Sequence, residues 1–183
     1  MSTLEMSTRE KLAFAFALAL GVSSASAADA PRFGQPISPA DLAAWDISIA
    51  PDGVGLPPGS GTPAQGEAVY AKFACALCHG EKGAGGPSGP LVGGDPLDSK
   101  ERDPRKLIGN YWPYATTIFD FTRRAMPWQQ PKTLTNDEVY ALTAYILALN
   151  KIIGENDVMN AETLPKVKMP NRDGFISKYP EKH

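Results

Sequence analysis

Cysteine and histidine are scarce in this chain, with two of each in 183 residues. A structural zinc site of four thiolate or imidazole ligands would consume all of them, terminal His183 included, so that reading is set aside. Charge of one sign is lacking too: 18 Lys and Arg against 20 Asp and Glu leave a net charge of -2. Such a balance gives no general pull toward nucleic acid or an acidic membrane surface. No alternating strand pattern of useful length appears, no internal repeat, and beyond Val22 no apolar run long enough to span a bilayer. The remaining inventory is globular, 43% hydrophobic and 21% charged, and long enough for one ordinary domain with extensions. It carries 17 Gly and 17 Pro. A loop-heavy chain of that kind needs something other than long secondary structure to organise it, and a large buried cofactor would serve.

Residues 1–27 read as an export signal. Arg9 and Lys11 are a short basic region, Leu12 to Val22 is apolar, and Ala25-Ser26-Ala27 supplies small residues for cleavage. The apolar run is too short for a membrane anchor, which takes about 20 residues. The expected mature protein therefore starts near Ala28, lies in the periplasm and has no stable membrane insertion. Residues 28–61 form a Pro/Gly-rich extension with one short helix, in which Ser38 is the N-cap, Pro39 lies in the first turn and Asp41 sits near the positive helix end. Gly53 to Gly61 reads as a flexible linker. A domain over 62–154 follows. It opens with Thr62-Pro63-Ala64-Gln65, a capping box with a first-turn proline, and that helix runs into Cys75. Residues 80–110 read as loop. A second helix is expected over about Pro113–Ala125, stopped by Met126-Pro127. Thr135 and Glu138 cap a third, with Val139, Leu142, Ile146 and Leu149 at helical spacing and Gly154 ending the segment. Residues 155–183 form a polar extension with Leu164, Val167, Phe175 and Ile176 as candidate anchors. The expected fold class is all-α, with short helices separated by long loops.

The chemistry concentrates in Cys75-Ala76-Leu77-Cys78-His79. Two thiols one helical turn apart can add to the two vinyl groups of one haem, with the adjacent histidine beneath the iron. A thioredoxin-like pair would want a preceding strand, and a disulfide across this spacing on a helix is strained. Haem attachment alone uses both thiols, the histidine and export together. For the other axial position the candidates are Met126, Met159 and Met169, because Met1 and Met6 leave with the signal. Met126 is preferred for its place between a helix and a rigid proline just ahead of the last helix. Methionine ligation favours electron transfer over ligand chemistry. The carbonyl of Pro90, in Gly89-Pro90-Leu91, is nominated as acceptor for the second His79 nitrogen. Arg123 and Arg124 are candidates to pair with haem propionates, with Trp112, Tyr111 or Tyr114 as hydrogen-bond donors. No acid, base or nucleophile constellation is present for substrate chemistry of its own. The alternatives left open are a general shuttle to a terminal oxidase or another dehydrogenase, and a haem enzyme or sensor with an open iron position.

These residues resemble class I cytochrome c. Gly66 and Tyr70 on the first helix and Tyr145 on the last match the helix contact of that family; Cys75, Cys78 and His79 match its attachment motif, Pro90 its His-orienting proline and Met126 its axial methionine. A narrower resemblance, to the cytochrome subunits of bacterial sulfite and sulfane dehydrogenases of the Sox type, rests on three segments. They are Tyr111-Trp112-Pro113-Tyr114-Ala115-Thr116-Thr117 with Arg123-Arg124-Ala125-Met126-Pro127, then Asp137 to Tyr145, then Met169-Pro170-Asn171-Arg172-Asp173-Gly174-Phe175. It implies a cytochrome taking electrons from a molybdenum subunit and passing them to a downstream cytochrome or oxidase. Some relatives carry two haem domains; the single motif here implies one haem c.

Overall fold

The computed structural model describes residue 34 and residues 36–43, 45–97 and 104–176. The expected signal segment and His183 lie outside the described residues. The chain divides into two compact units, Met1–Leu42 and Ala43–His183. The described part of the first centres on helix α1 (Pro39–Ala43). Ser38 caps it, its hydroxyl oxygen accepting from the Asp41 amide at 3.1 Å.

The second unit is mostly helical. A two-residue strand β1 (Ser60–Gly61) precedes α2 (Pro63–Lys72), and α3 (Ala76–His79) follows one turn later. Thr62 and Gln65 form the expected capping box: the Thr62 amide donates to Gln65 Oε1 at 2.9 Å and the Gln65 amide to Thr62 Oγ1 at 3.3 Å. After a loop come α4 (Ile108–Tyr111), α5 (Ala115–Ala125) and α6 (Asn136–Leu149). Strand β2 (Met159–Asn160) pairs antiparallel with β1, Gly61 opposite Met159, and a 3-10 turn occupies Leu164–Lys166. Among the described residues, no helix is long and apolar enough to cross a membrane.

Four boundaries differ from the pattern reading. The helix opened by Thr62 does not run into Cys75: α2 ends at Lys72, and Ala74, with φ +52°, breaks the chain before α3. Helix α5 begins at Ala115 rather than Pro113, because Trp112 and Tyr114 hold extended backbone on either side of the proline. Helix α6 ends at Leu149, with Asn150 as its C-cap, and not at Gly154. Helix α4, inside a stretch expected to be loop, is too short to show a period. Its Asn110 side chain fixes it, accepting from the Leu107 amide at 2.7 Å and donating to the Asp95 and Arg105 carbonyls.

Helix α6 is the axis of the unit. Every side chain from Val139 to Leu147 is buried, as expected for a helix covered on all faces. Helix α2 crosses it at Gly66, where a Cβ would overlap the Ala141 carbonyl. The Tyr70 and Tyr145 rings meet beside that crossing, with centroids 5.5 Å apart. A second core joins Ile118 and Phe119 of α5 to Tyr140, Ala144 and Leu147, closed by Met159, Leu164 and Met169.

The segment read as a flexible linker is pinned to the helices. Tyr140 Oη donates to the Pro57 carbonyl at 2.8 Å, and the Ser60 amide donates to Asp137 Oδ1 at 2.8 Å. Its glycines serve tight turns against protein rather than freedom; a Cβ at Gly55, which has φ +89°, would strike the Ser48 carbonyl. The C-terminal extension docks as well. Asn171 Nδ2 donates to the Tyr111 carbonyl at 2.7 Å, Arg172 lies over the Tyr114 ring, and Phe175 packs edge-on against Tyr111. Of the candidate anchors, Leu164 and Val167 pack into the core, whereas Ile176 is exposed.

Candidate haem site

A cavity of about 610 Å3 opens beside α6, within the roughly 300–1,000 Å3 range of pockets that bury a cofactor-sized ligand. One wall carries Cys75, Cys78 and His79, delivered by α3 at the end of the α2 arm. Leu142 and Ile146 of α6, Ile118 of α5 and Leu91 give apolar surface, and Met126, just past α5, joins the same lining. Both thiols are free in the described chain. Burial, above all, pushes the Cys75 thiol up from its ordinary value.

The loop after His79 is bonded back onto α3. The Ser88 amide donates to the Cys78 carbonyl at 2.8 Å, the Leu91 amide to the Gly83 carbonyl at 2.8 Å, and Tyr70 Oη to the Gly80 carbonyl at 2.8 Å. Tyr70 lines the cavity too, and burial raises its phenol to about 12, so it stays a neutral donor. This folding brings the Gly89 carbonyl to 2.9 Å from His79 Nδ1. A carbonyl only accepts, so Nδ1 must carry the proton, which leaves Nε2 with the lone pair a metal needs. The acceptor is thus Gly89 and not, as nominated, Pro90. The amide carbonyl preceding a proline belongs to the residue before it; Pro90 contributes the rigid ring and lines the cavity.

Met126 is half-buried and lines the cavity, whereas Met159 and Met169 are buried in the other core. Trp112 lines the cavity, edge-on to Phe121 at 5.8 Å. Arg123 and Arg124 do not line it. Arg124 Nε is held by Asp120 one turn back, at 2.9 and 3.0 Å, and its Nη2 reaches Ser48 Oγ at 3.3 Å. Tyr111 and Tyr114 are likewise outside the lining, engaged by the C-terminal extension. Residues the pattern reading missed include Lys106, Thr122, Trp128 and Gln129. Lys106 is the one Lys or Arg among the described lining residues. It sits in a loop, where spacing gives no signal. Trp128 and Gln129 could have been suspected from their position beside Met126-Pro127.

The donor set decides what the cavity suits. Among the described residues no group of three His, Cys, Asp or Glu is arranged to hold a bare metal ion. Two thiols on one wall, one imidazole with a free nitrogen, one thioether and a mostly apolar lining fit a haem, whose macrocycle supplies the remaining iron ligands.

Comparison with known proteins agrees. Residues 61–146 match the family model described as cytochrome c oxidase, cbb3-type, subunit III. No curated protein matches the chain in sequence. Among solved structures, a chain of the sulfane dehydrogenase SoxCD from Paracoccus pantotrophus is 39% identical, with a TM-score of 0.72, over 81% of this chain and 71% of that one. The matched region spans the motif helix, the cavity lining and most of α6, and the structural likeness covers more of the chain. The chain belongs to the cytochrome c family, as a haem-binding electron-transfer protein similar to a chain of that sulfane dehydrogenase.

Proposed function

We propose that the protein is an exported, periplasmic cytochrome with one covalent haem c, and that it takes single electrons from a molybdenum-containing sulfite or sulfane dehydrogenase subunit. Electrons would pass on to a downstream cytochrome or oxidase. The observation that carries this reading is the single cavity that collects Cys75, Cys78, His79 and Met126 in a chain 39% identical to one of a sulfane dehydrogenase. When bound, the haem supplies the one-electron couple. The chain does the rest. Cys75 and Cys78 tether the macrocycle, His79 offers Nε2 while Gly89 fixes its ring, and Met126 offers a thioether. The apolar wall excludes water, which favours the less charged reduced state.

Co-purification from the native periplasm, followed by sulfite- or sulfane-dependent haem reduction, tests the proposal. Reduction should follow substrate only while the molybdenum subunit is present. A second reading, a general shuttle feeding an oxidase, is favoured by the match to an oxidase subunit family. Substrate-independent reduction by unrelated periplasmic donors, with oxidase-dependent reoxidation, would select it. A high-spin haem lacking the methionine–iron charge-transfer band would sink both.

A further inference from the structure

Asn150, the C-cap of α6, lies outside the cavity lining, yet its side chain reaches the loop that orients His79. Its Nδ2 donates to the Leu91 carbonyl at 2.9 Å and to the Ile146 carbonyl of its own helix at 2.8 Å, and its Oδ1 accepts from the Gly93 amide at 3.2 Å. All the hydrogen-bonding capacity of this half-buried amide except one lone pair is thereby engaged. Gly93 has φ +99°, a conformation that L side chains rarely adopt, so the turn presenting its amide to Asn150 suits glycine. On the opposite side Gly109 of α4 leaves room for the carboxamide; a Cβ there would overlap Asn150 Oδ1.

The Ser88–Leu91 stretch holds the Gly89 carbonyl, and the Leu91 side chain packs against the core. Ser88 is tied through its amide to Cys78, and Leu91 through its amide to Gly83. Both of these backbone anchors lie within residues 78–83, in the motif or just past it. The Leu91 carbonyl is anchored by Asn150, on the helix at the centre of the unit. Pro90 is stiff, so fixing Leu91 restricts the peptide plane of Gly89.

We propose that Asn150 is a positioning residue for the axial histidine. By clamping Leu91 and Gly93 to the end of α6 it holds the Gly89 carbonyl against His79 Nδ1, and so sets the basicity of the ligand and the reduction potential. The inference rests on His79 being the iron ligand. A hydrogen bond that pulls on Nδ1–H makes the imidazole a stronger donor, which stabilises the ferric state. Loosening the clamp therefore raises the potential. Direct partners of a ligand change affinity or activity by about 10–100-fold; Asn150 acts one step further out, so the expected shift in the reduction equilibrium is about three- to tenfold, tenfold being 59 mV for one electron.

The test is a spectroelectrochemical titration of the holoprotein, with NMR of the His79 ring N–H, on three variants. Asn150→Ala removes the clamp. Gly109→Ala displaces it from behind and serves if the first variant is poorly folded. Thr163→Val is the structural control, because it removes bonds in the Asn160–Thr163 turn and touches neither the loop nor the cavity. Raised potentials in the first two, a moved His79 N–H signal and an unshifted control support the assignment. An unchanged or lowered potential in both clamp variants, or an equal shift in the control, overturns it. Failure of the underlying reading would look different: the unmodified protein would lack covalent haem or histidine ligation altogether.

Discussion

On one side of α6, Tyr140, Ala144 and Leu147 meet Phe119, Met159, Leu164 and Met169 in a core closed by protein alone. On another, Leu142 and Ile146 stand in the cavity wall with Cys75, Cys78, His79 and Met126. The three methionines outside the expected signal segment show what the difference teaches. Met159 and Met169, 4% and 1% exposed, fill irregular gaps in the closed core. Met126 is half-buried in the cavity lining. The same side chain is filler in one region and a candidate ligand in the other. Packing geometry, not residue type, makes the distinction.

Replacing Cys75 and Cys78 together with serine should break the comparison hardest. Haem stain on a denaturing gel is expected to disappear completely, and any haem bound by the folded variant should be extractable. Exchanging the roles of two methionines comes next. Met126→Ala should convert the haem from low to high spin with little change in urea midpoint. Met169→Ala should leave the absorption spectrum intact while costing about 2–5 kcal/mol of stability, as truncations of buried methionine do. If Met169→Ala changes the spin state instead, the assignment of the two regions is reversed.

Smaller effects sharpen the boundary. Tyr140→Phe deletes the hydrogen bond to the Pro57 carbonyl and should lower stability by about 0.5–1.5 kcal/mol in chemical denaturation, with the potential unmoved. Burial raises the Tyr140 phenol to about 12. Its stabilising contribution is full below the ordinary value of 10 and fades as pH rises through 12, so the variant should approach wild type at alkaline pH. The smallest change belongs to Glu138, which Lys72 holds at 2.7 Å and whose carboxyl lies below its ordinary value, chiefly through that contact. Lys72 is largely exposed, so the pair contributes only about 0–1 kcal/mol. Its contribution should be constant above the ordinary glutamate value of 4.5 and vanish as pH falls through the depressed one. Acid unfolding of Glu138→Gln against wild type, at low salt, would show the two stability curves converging at acid pH.

Elements with local signals were readable in advance. The capping boxes at Thr62 and Thr135 need only one turn of chain to satisfy each other, and both form. The all-α class followed from helical spacing, and the aromatic contact of Tyr70 with Tyr145 from the family resemblance. Helix α4 was invisible because its stability comes from Asn110 reaching Asp95 and Arg105, not from any periodicity. The Gly/Pro-rich run before Thr62 misled for a similar reason. Composition reports conformational freedom, while the hydrogen bonds from Tyr140 and to Asp137 that remove it are long-range.

The sequence by itself set two thiols one helical turn apart with an imidazole next to the second, because residues three apart on a helix share a face. It also narrowed the opposing ligand to three methionines and placed the chain near a family of sulfur-oxidising dehydrogenases. Only the tertiary structure decided which methionine lines the cavity, that Gly89 rather than Pro90 accepts from His79, and that Arg124 turns to Asp120 outside the lining. Local spacing acts within a turn or two of chain. Closing a loop of ten residues onto a histidine, or burying a tail against a helix, depends on contacts distant in sequence, and only packing selects among those.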